Sequence, residues 1–442
     1  MSSSWLAQVV AVSLLLLFGK APRVNACGGL FCEPAVPVVQ AGEAIAFGVQ
    51  GNELEMHVQI LYAGPAEKFS WLLPVPFEPT VDVGSDLLFQ RLFQQTLPQF
   101  SLTVQEPEDD LVCVTREECD FSDADEAGGP PRAGQSGQEA QVLQFGSVGP
   151  FDFVVLQAGE GNPDSIRKWL KDNNYDEYPG SAALLNYYAR LDHKFVALRL
   201  QKDSDTGDIQ PIILRQTMPE GGDPLSMAIA CIPIKLTAVA ANDNMPIQAY
   251  IFGESRAQPI NWLEVVLDEK QVNWVGCGNS QLCYYNDLRR RFTVAAQAAS
   301  QQVFLTEYAG TTSIMANQVE IDIDVVALST SATPLAFLQA MSDAGVPKFA
   351  LVDTIVDKYI PAAHVPNDEF CQNLSSLYTP RQPWVFESCA ANVQVDSFDA
   401  AAFADELNEK VFLPADEAQA FVDSHTYMTR MYAEQRYACA FF

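Results

Sequence analysis

Four histidines supply all the imidazole in this chain of 442 residues, so acid–base chemistry through histidine has few places to reside. His57 has the most useful neighbour. Between Leu54 and Tyr62, strand alternation places Glu55, His57 and Gln59 on one face and Leu54, Met56, Val58 and Ile60 on the other. A carboxylate beside an imidazole is the beginning of a general-base pair, with Ser70 and Trp71 expected on a neighbouring strand. The commoner role for a lone ring is a half-exposed position in a sheet, so His57 is read as accessible and outside the core. His193 and His425 fall near expected helix C-termini, and His364 lies in a loop flanked by proline.

The carboxylates offer two further candidates. Glu320, Asp322 and Asp324 alternate with apolar residues, which puts three acids on one face of an expected strand and within reach of a hard cation. In so acidic a chain a solvated face is the favoured reading, and no resident metal is expected. Asp203, Asp205 and Asp208 surround Gly207 in a spacing like a calcium loop, but Leu214 stands where the closing Glu should be. That segment reads as a hairpin turn. The Gly-x-Ser-x-Gly elbow, His-Glu-x-x-His, phosphate-cradling glycine loop and dinucleotide fingerprint are all missing from the sequence, and no cofactor is expected. Asn373, in Asn-Leu-Ser, is the single glycosylation acceptor.

Cysteine chemistry points elsewhere. Ten cysteines, with no Cys-x-x-Cys, suit disulfides better than zinc. Their spacing suggests four local bridges: Cys27–Cys32, Cys113–Cys119, Cys277–Cys283 and Cys371–Cys389. A longer reach from Cys27 or Cys32 stays open. Cys231 lies in an apolar run and reads as a buried thiol, and Cys439 is left over.

Oxidised cysteines require an oxidising compartment, and the amino terminus supplies an address. An apolar run from Trp5 to Phe18 is followed by Val24-Asn25-Ala26, the small-residue spacing of a signal-peptidase site. Cleavage there leaves Cys27 as the new terminus. Lipid attachment at Cys27 ranks second, because Lys20, Pro22 and Arg23 separate it from the apolar run. No later segment is long and apolar enough to span a membrane. The net charge of −30 disfavours nucleic acid and anionic lipid surfaces as partners.

The elements that must position these residues alternate irregularly between strand and helix. Glu43–Val49 and Leu54–Tyr62 form a hairpin, and Phe69–Leu73 a third strand that ends at Pro74. Ser85 caps a helix carrying Leu88, Leu92 and Phe93, which stops at Pro98. Residues 117–138 form an acidic, Gly/Pro-rich loop. Strands follow at 153–157, 195–201, 209–214, 236–241, 248–252 and 303–308, with helices near 163, 181–192, 287–300 and 333 onward. The tail from Phe398 to Ser424 reads as two helices split at Pro414. The expected class is α+β: mixed, mainly antiparallel sheets with interspersed helices, stapled by disulfides. The expected organisation is a signal peptide (1–26), a β-rich domain (27–150), a central α+β domain (151–330) and a helical C-terminal region (331–442).

Several ordered strings resemble one family. They are Cys27-Gly-Gly-Leu-Phe-Cys32, His57-Val-Gln-Ile-Leu-Tyr62, Trp71-Leu-Leu-Pro-Val-Pro76, Gly84-Ser-Asp-Leu-Leu-Phe89, Val148-Gly-Pro-Phe-Asp152, Leu236-Thr-Ala-Val-Ala-Ala241 and Thr306-Glu-Tyr-Ala-Gly310. On these the chain is similar to the largely bacterial family called domain of unknown function 2330, closely over residues 27–310 and more loosely to Thr429-Arg430-Met431-Tyr432. The resemblance implies an exported protein and brings no catalytic residue. Relatives usually continue past that last block, whereas here the chain stops at Phe442, so the tail from Ala433 departs from the family pattern. The expected function is binding, of a protein or a surface ligand, in a secreted or periplasmic setting. The alternative is an extracytoplasmic hydrolase with its site near His57.

Overall fold

The expected hairpin opens the fold. Strands β1 (Val39–Gln50) and β2 (Glu53–Ala63) pair antiparallel about Gly51, whose φ of 63° suits a residue without Cβ. In this computed structural model the described residues are 39–63, 70–101, 139–175, 181–201, 204, 206–219, 231–232, 245–266, 269–274, 280–298, 302–321, 323–347, 349–360, 397–434 and 440–441.

After the hairpin come β3 (Ser70–Val75), β4 (Pro79–Val83), α1 (Asp86–Thr96), β5 (Gln141–Val148) and β6 (Phe151–Gln157). Then follow α2 (Ser165–Asp172), α3 (Ser181–Arg190), β7 (Lys194–Leu200), β8 (Ile212–Thr217), β9 (Cys231–Ile232), β10 (Pro246–Gly253) and β11 (Leu263–Val266). The last part holds α4 (Gln281–Ala298), β12 (Val303–Thr311), α5 (Val325–Ser329), α6 (Pro334–Asp343), α7 (Ala350–Tyr359), α8 (Ala400–Leu407), α9 (Leu413–Asp423), β13 (Tyr427–Glu434) and β14 (Ala440–Phe441).

Eight strands make one sheet in the order β11-β12-β13-β10-β1-β2-β8-β4, and four make another in the order β3-β7-β6-β5. The large sheet is mixed: β1 runs parallel to β10 and β11 parallel to β12, while the remaining neighbours are antiparallel. The fold is therefore α+β with mixed sheets.

Alternation along the strands creates two apolar faces per sheet, and each is covered. Ile45, Phe47, Met56, Val58, Ile247 and Leu214 of the large sheet pack against Trp71, Leu73, Phe153, Val155 and Leu198 of the small one. On the far side of the large sheet, Ala44, Ala46, Tyr250 and Phe252 meet Leu88, Phe89 and Leu92 of α1 and Ala418, Phe421 and Val422 of α9. On the far side of the small sheet, Leu72, Leu156 and Phe195 meet Ile166 and Leu170 of α2 and Leu185 and Tyr188 of α3. Two sheets are thus packed face to face between two helical layers. A separate helical core gathers Leu328, Phe337, Leu351, Ile355, Phe403 and Leu407 from α5 to α8.

Three expectations change. The strand at Ser70 and Trp71 does not neighbour β2; it pairs with β7 in the other sheet, because its uniformly buried side chains are needed between the two sheets and the α2/α3 layer. The tail does hold two helices, but Pro414 is not the break between them. It sits in the first turn of α9, where a missing N–H costs no bond, and a π-helical turn at Asn408–Phe412 joins α8 to α9. Glu320 and Asp324 lie on no strand: Glu320 is exposed, and Asp324 caps α5 by accepting from the Ala327 N–H at 3.0 Å. Between them, Ile321 and Ile323 pack on the helical core. Asp322, Asn373, Cys27, Cys32, Cys113, Cys119, Cys277, Cys371, Cys389 and Cys439 lie outside the described residues, as do residues 1–38 and the 117–138 loop.

Candidate functional site

His57 is 0 % exposed, contrary to the accessible position expected for it. The face assignment is right, since Leu54, Met56, Val58 and Ile60 do occupy the inter-sheet core. What alternation cannot show is that the opposite face is also covered, here by α9. The Phe421 ring lies 4.4 Å from the His57 ring, centroid to centroid. Gly48 is there because a Cβ would run into Phe421 and His425. The His57 Nε2 is 2.7 Å from Glu55 Oε1, whose other oxygen accepts from Arg215 Nε at 3.1 Å. Arg215 also reaches Asp82 and Glu417. Burial pushes the Glu55 carboxyl up, but His57 and Arg215 together hold it below the ordinary value. This chain of charges ties β2, β4, β8 and α9 together, and its imidazole has no surface on which to meet a substrate.

A cleft of about 470 Å³ opens a short way along the same sheet face. Its floor follows from strand register: Gln59 of β2, Ala44 of β1 and Gln248 of β10 stand side by side, so a methyl group lies between two carboxamides. The small residue makes the hollow. One wall is α1, through Asp86, Phe89, Gln90 and Phe93; Ile209, Phe349 and Ala350 close the other side. Glu43 borders the cleft, but alternation turns its side chain with Ile45 and Phe47 toward the inter-sheet core. Asp86 is the acid that faces the cleft from α1. It accepts from the Gln59 amide at 2.6 Å, and burial pushes its carboxyl up to about 7 against the opposing effect of that bond. Apolar walls with a few placed polar groups, in a volume of this size, are what small-ligand sites have in common.

Sequence reading missed Asp86. As a first-turn acid behind Ser85 it looks like ordinary helix decoration, and Ser85 itself makes no side-chain capping bond. Strand alternation does put Gln59 on the cleft face, but nothing local marks Gln248 as its companion across β1.

A second hollow, about 810 Å³, lies at the end of the small sheet among Gln157, Glu160, Asn162, Asp164, Asn186 and Asp192. Its lining is largely polar and is partly spent on internal bonds, Gln157 to Asp192 and Asn186 to Asp164. A third polar cluster is wholly interior. The Arg430 and Glu307 side chains are fully buried as an ion pair at 2.9 Å, and Arg430 also donates to Thr96, the Phe93 carbonyl and Tyr285. Burial pushes the Glu307 carboxyl up, with Arg430 opposing. Among the described residues no group of three or more His, Cys, Asp or Glu side chains is placed to hold a metal ion, and no helix is long and apolar enough to cross a membrane.

No curated protein and no solved structure matches the chain. A family described as an uncharacterized protein conserved in bacteria, DUF2330, matches residues 21–369, which hold the small sheet, the strands of the large sheet other than β13, α1 and the helices as far as α7. Those residues include Asp86, Gln59, Gln248 and the rest of the cleft lining. The chain belongs to the DUF2330 family.

Proposed function

We propose that this protein is an exported, disulfide-stabilised binding protein of the cell surface or periplasm, not an enzyme, and that its ligand occupies the cleft between α1 and the large sheet. The observation that carries the reading is the cleft itself: apolar walls, a floor hollowed at Ala44, and a few polar groups, Asp86 and three glutamines, with Glu43 at the border. Export is supported by the signal-like segment ending at Ala26. The oxidising setting is supported by the ten cysteines and their local spacing, in which Cys277 and Cys283, six residues apart, form a pair.

An environment-sensitive apolar naphthyl dye tests the binding role. Purified mature protein should enhance its fluorescence saturably. Ala350→Trp, which fills the cleft from its exposed rim, should reduce that signal at least tenfold without lowering thermal stability. A dye response absent from the wild type, or unchanged in the variant, would remove the cleft as the site.

A further inference from the structure

We infer that the cleft selects an organic ammonium ion with an apolar body, the nitrogen seated against Asp86 and the carboxamides of Gln59 and Gln248. The inference rests on the binding role proposed above and names the ligand class for it.

The polar lining is one-sided in charge. Asp86 faces the cleft from α1, Gln59 from β2, Gln248 from β10 and Gln90 again from α1; a second acid, Glu43 of β1, borders it, and none of the lining residues is a cation. Arg91, one turn along α1, is not among them. A ligand anion would meet Asp86, which already occupies the positive end of the helix where an anion would otherwise settle. Above about pH 7, where Asp86 is ionised, a neutral alcohol would leave a half-desolvated carboxylate without a counter-charge. An ammonium supplies that charge, and its N–H donors match a carboxylate and amide oxygens, which accept. The Phe89 and Phe93 rings and Ile209 then take the apolar body. The net charge of −30 adds a long-range attraction for cations over anions.

Binding should release a proton. In the empty cleft the Asp86 carboxyl keeps its proton to about pH 7 because it is desolvated. The ammonium binds the carboxylate, so below that pH the proton must first leave for solvent. Affinity therefore rises with pH up to about 7 and levels off above it.

Titration calorimetry with octylamine, 1-octanol and octanoate, on the full mature chain, decides the matter. Octylamine should bind tightest, about tenfold tighter near pH 8 than near pH 6, with proton release seen as a dependence on buffer ionisation enthalpy. Asp86→Asn keeps the size and the Gln59 bond; it should abolish the pH dependence and weaken octylamine roughly tenfold near pH 8. Octanol or octanoate binding as tightly as octylamine would overturn the ammonium assignment while leaving the cleft a binding site. So would octylamine binding that ignores pH or Asp86→Asn. Failure of all three ligands together with the naphthyl dye would overturn both.

Discussion

Asp86 and His57 lie on the same face of the large sheet, and each is set by what covers it. Asp86 stands at the edge of α1, so its carboxyl is desolvated yet reaches a cleft. His57 stands under α9 with its ring against Phe421, and Glu55 is its side-chain partner. Removing that ring leaves a buried hole and strips Glu55 of one hydrogen bond. His57→Ala should therefore cost roughly 2–4 kcal/mol of folding stability, the range for buried large-to-small changes plus a lost bond. Urea denaturation gives the answer directly; a loss within about 1 kcal/mol would mean that the site behaves as surface.

At the scale of elements, α1 is held at both ends by groups from elsewhere in the chain. Its first turn is tied to β2 through Gln59 and Asp86. Its last turn has no basic residue of its own, and Arg430 of β13 supplies one, donating to the Phe93 carbonyl and Thr96 with its guanidinium 4.8 Å from the Phe93 ring centre. Since Phe93 also lines the cleft, the buried Arg430–Glu307 pair fixes one of its walls. Arg430→Met alone leaves Glu307 buried without its cation and should cost about 3–5 kcal/mol. Combining it with Glu307→Leu removes both charges and should restore half or more of that loss. Denaturant midpoints of the two single variants and the double variant form the test; strict additivity would show that the pair is not coupled.

At the scale of the molecule, the large sheet draws its strands from β1 to β13, and these two, far apart in sequence, flank β10 at its centre. β13 is inserted between β10 and β12, with Arg430 beside Tyr250 and Tyr308 in register. If the proposed export is correct, this assembly forms after cleavage, in an oxidising compartment. Exported protein should begin at Cys27, carry no lipid there, and yield a Cys277–Cys283 peptide under non-reducing digestion. Intact mass and peptide mapping check all three; retention of residues 1–26 or free thiols at 277 and 283 would contradict them.

Periodicity in the sequence was enough to establish the first hairpin, its core face, the helix after Ser85, the helix beginning at Pro334 and the α+β class, because each depends on residues close together along the chain. Local pattern even put Glu55, His57 and Gln59 on their correct common face. It had no means of telling that the face was covered, since the residue covering His57 is Phe421, more than three hundred positions away. The same holds for the cleft, whose floor exists only because β10 lies parallel to β1 and brings Gln248 level with Ala44 and Gln59. A strand's own residues determine which side chains share a face. Which face meets solvent, and where a hollow remains, is decided by long-range pairing and by the helices that pack on it.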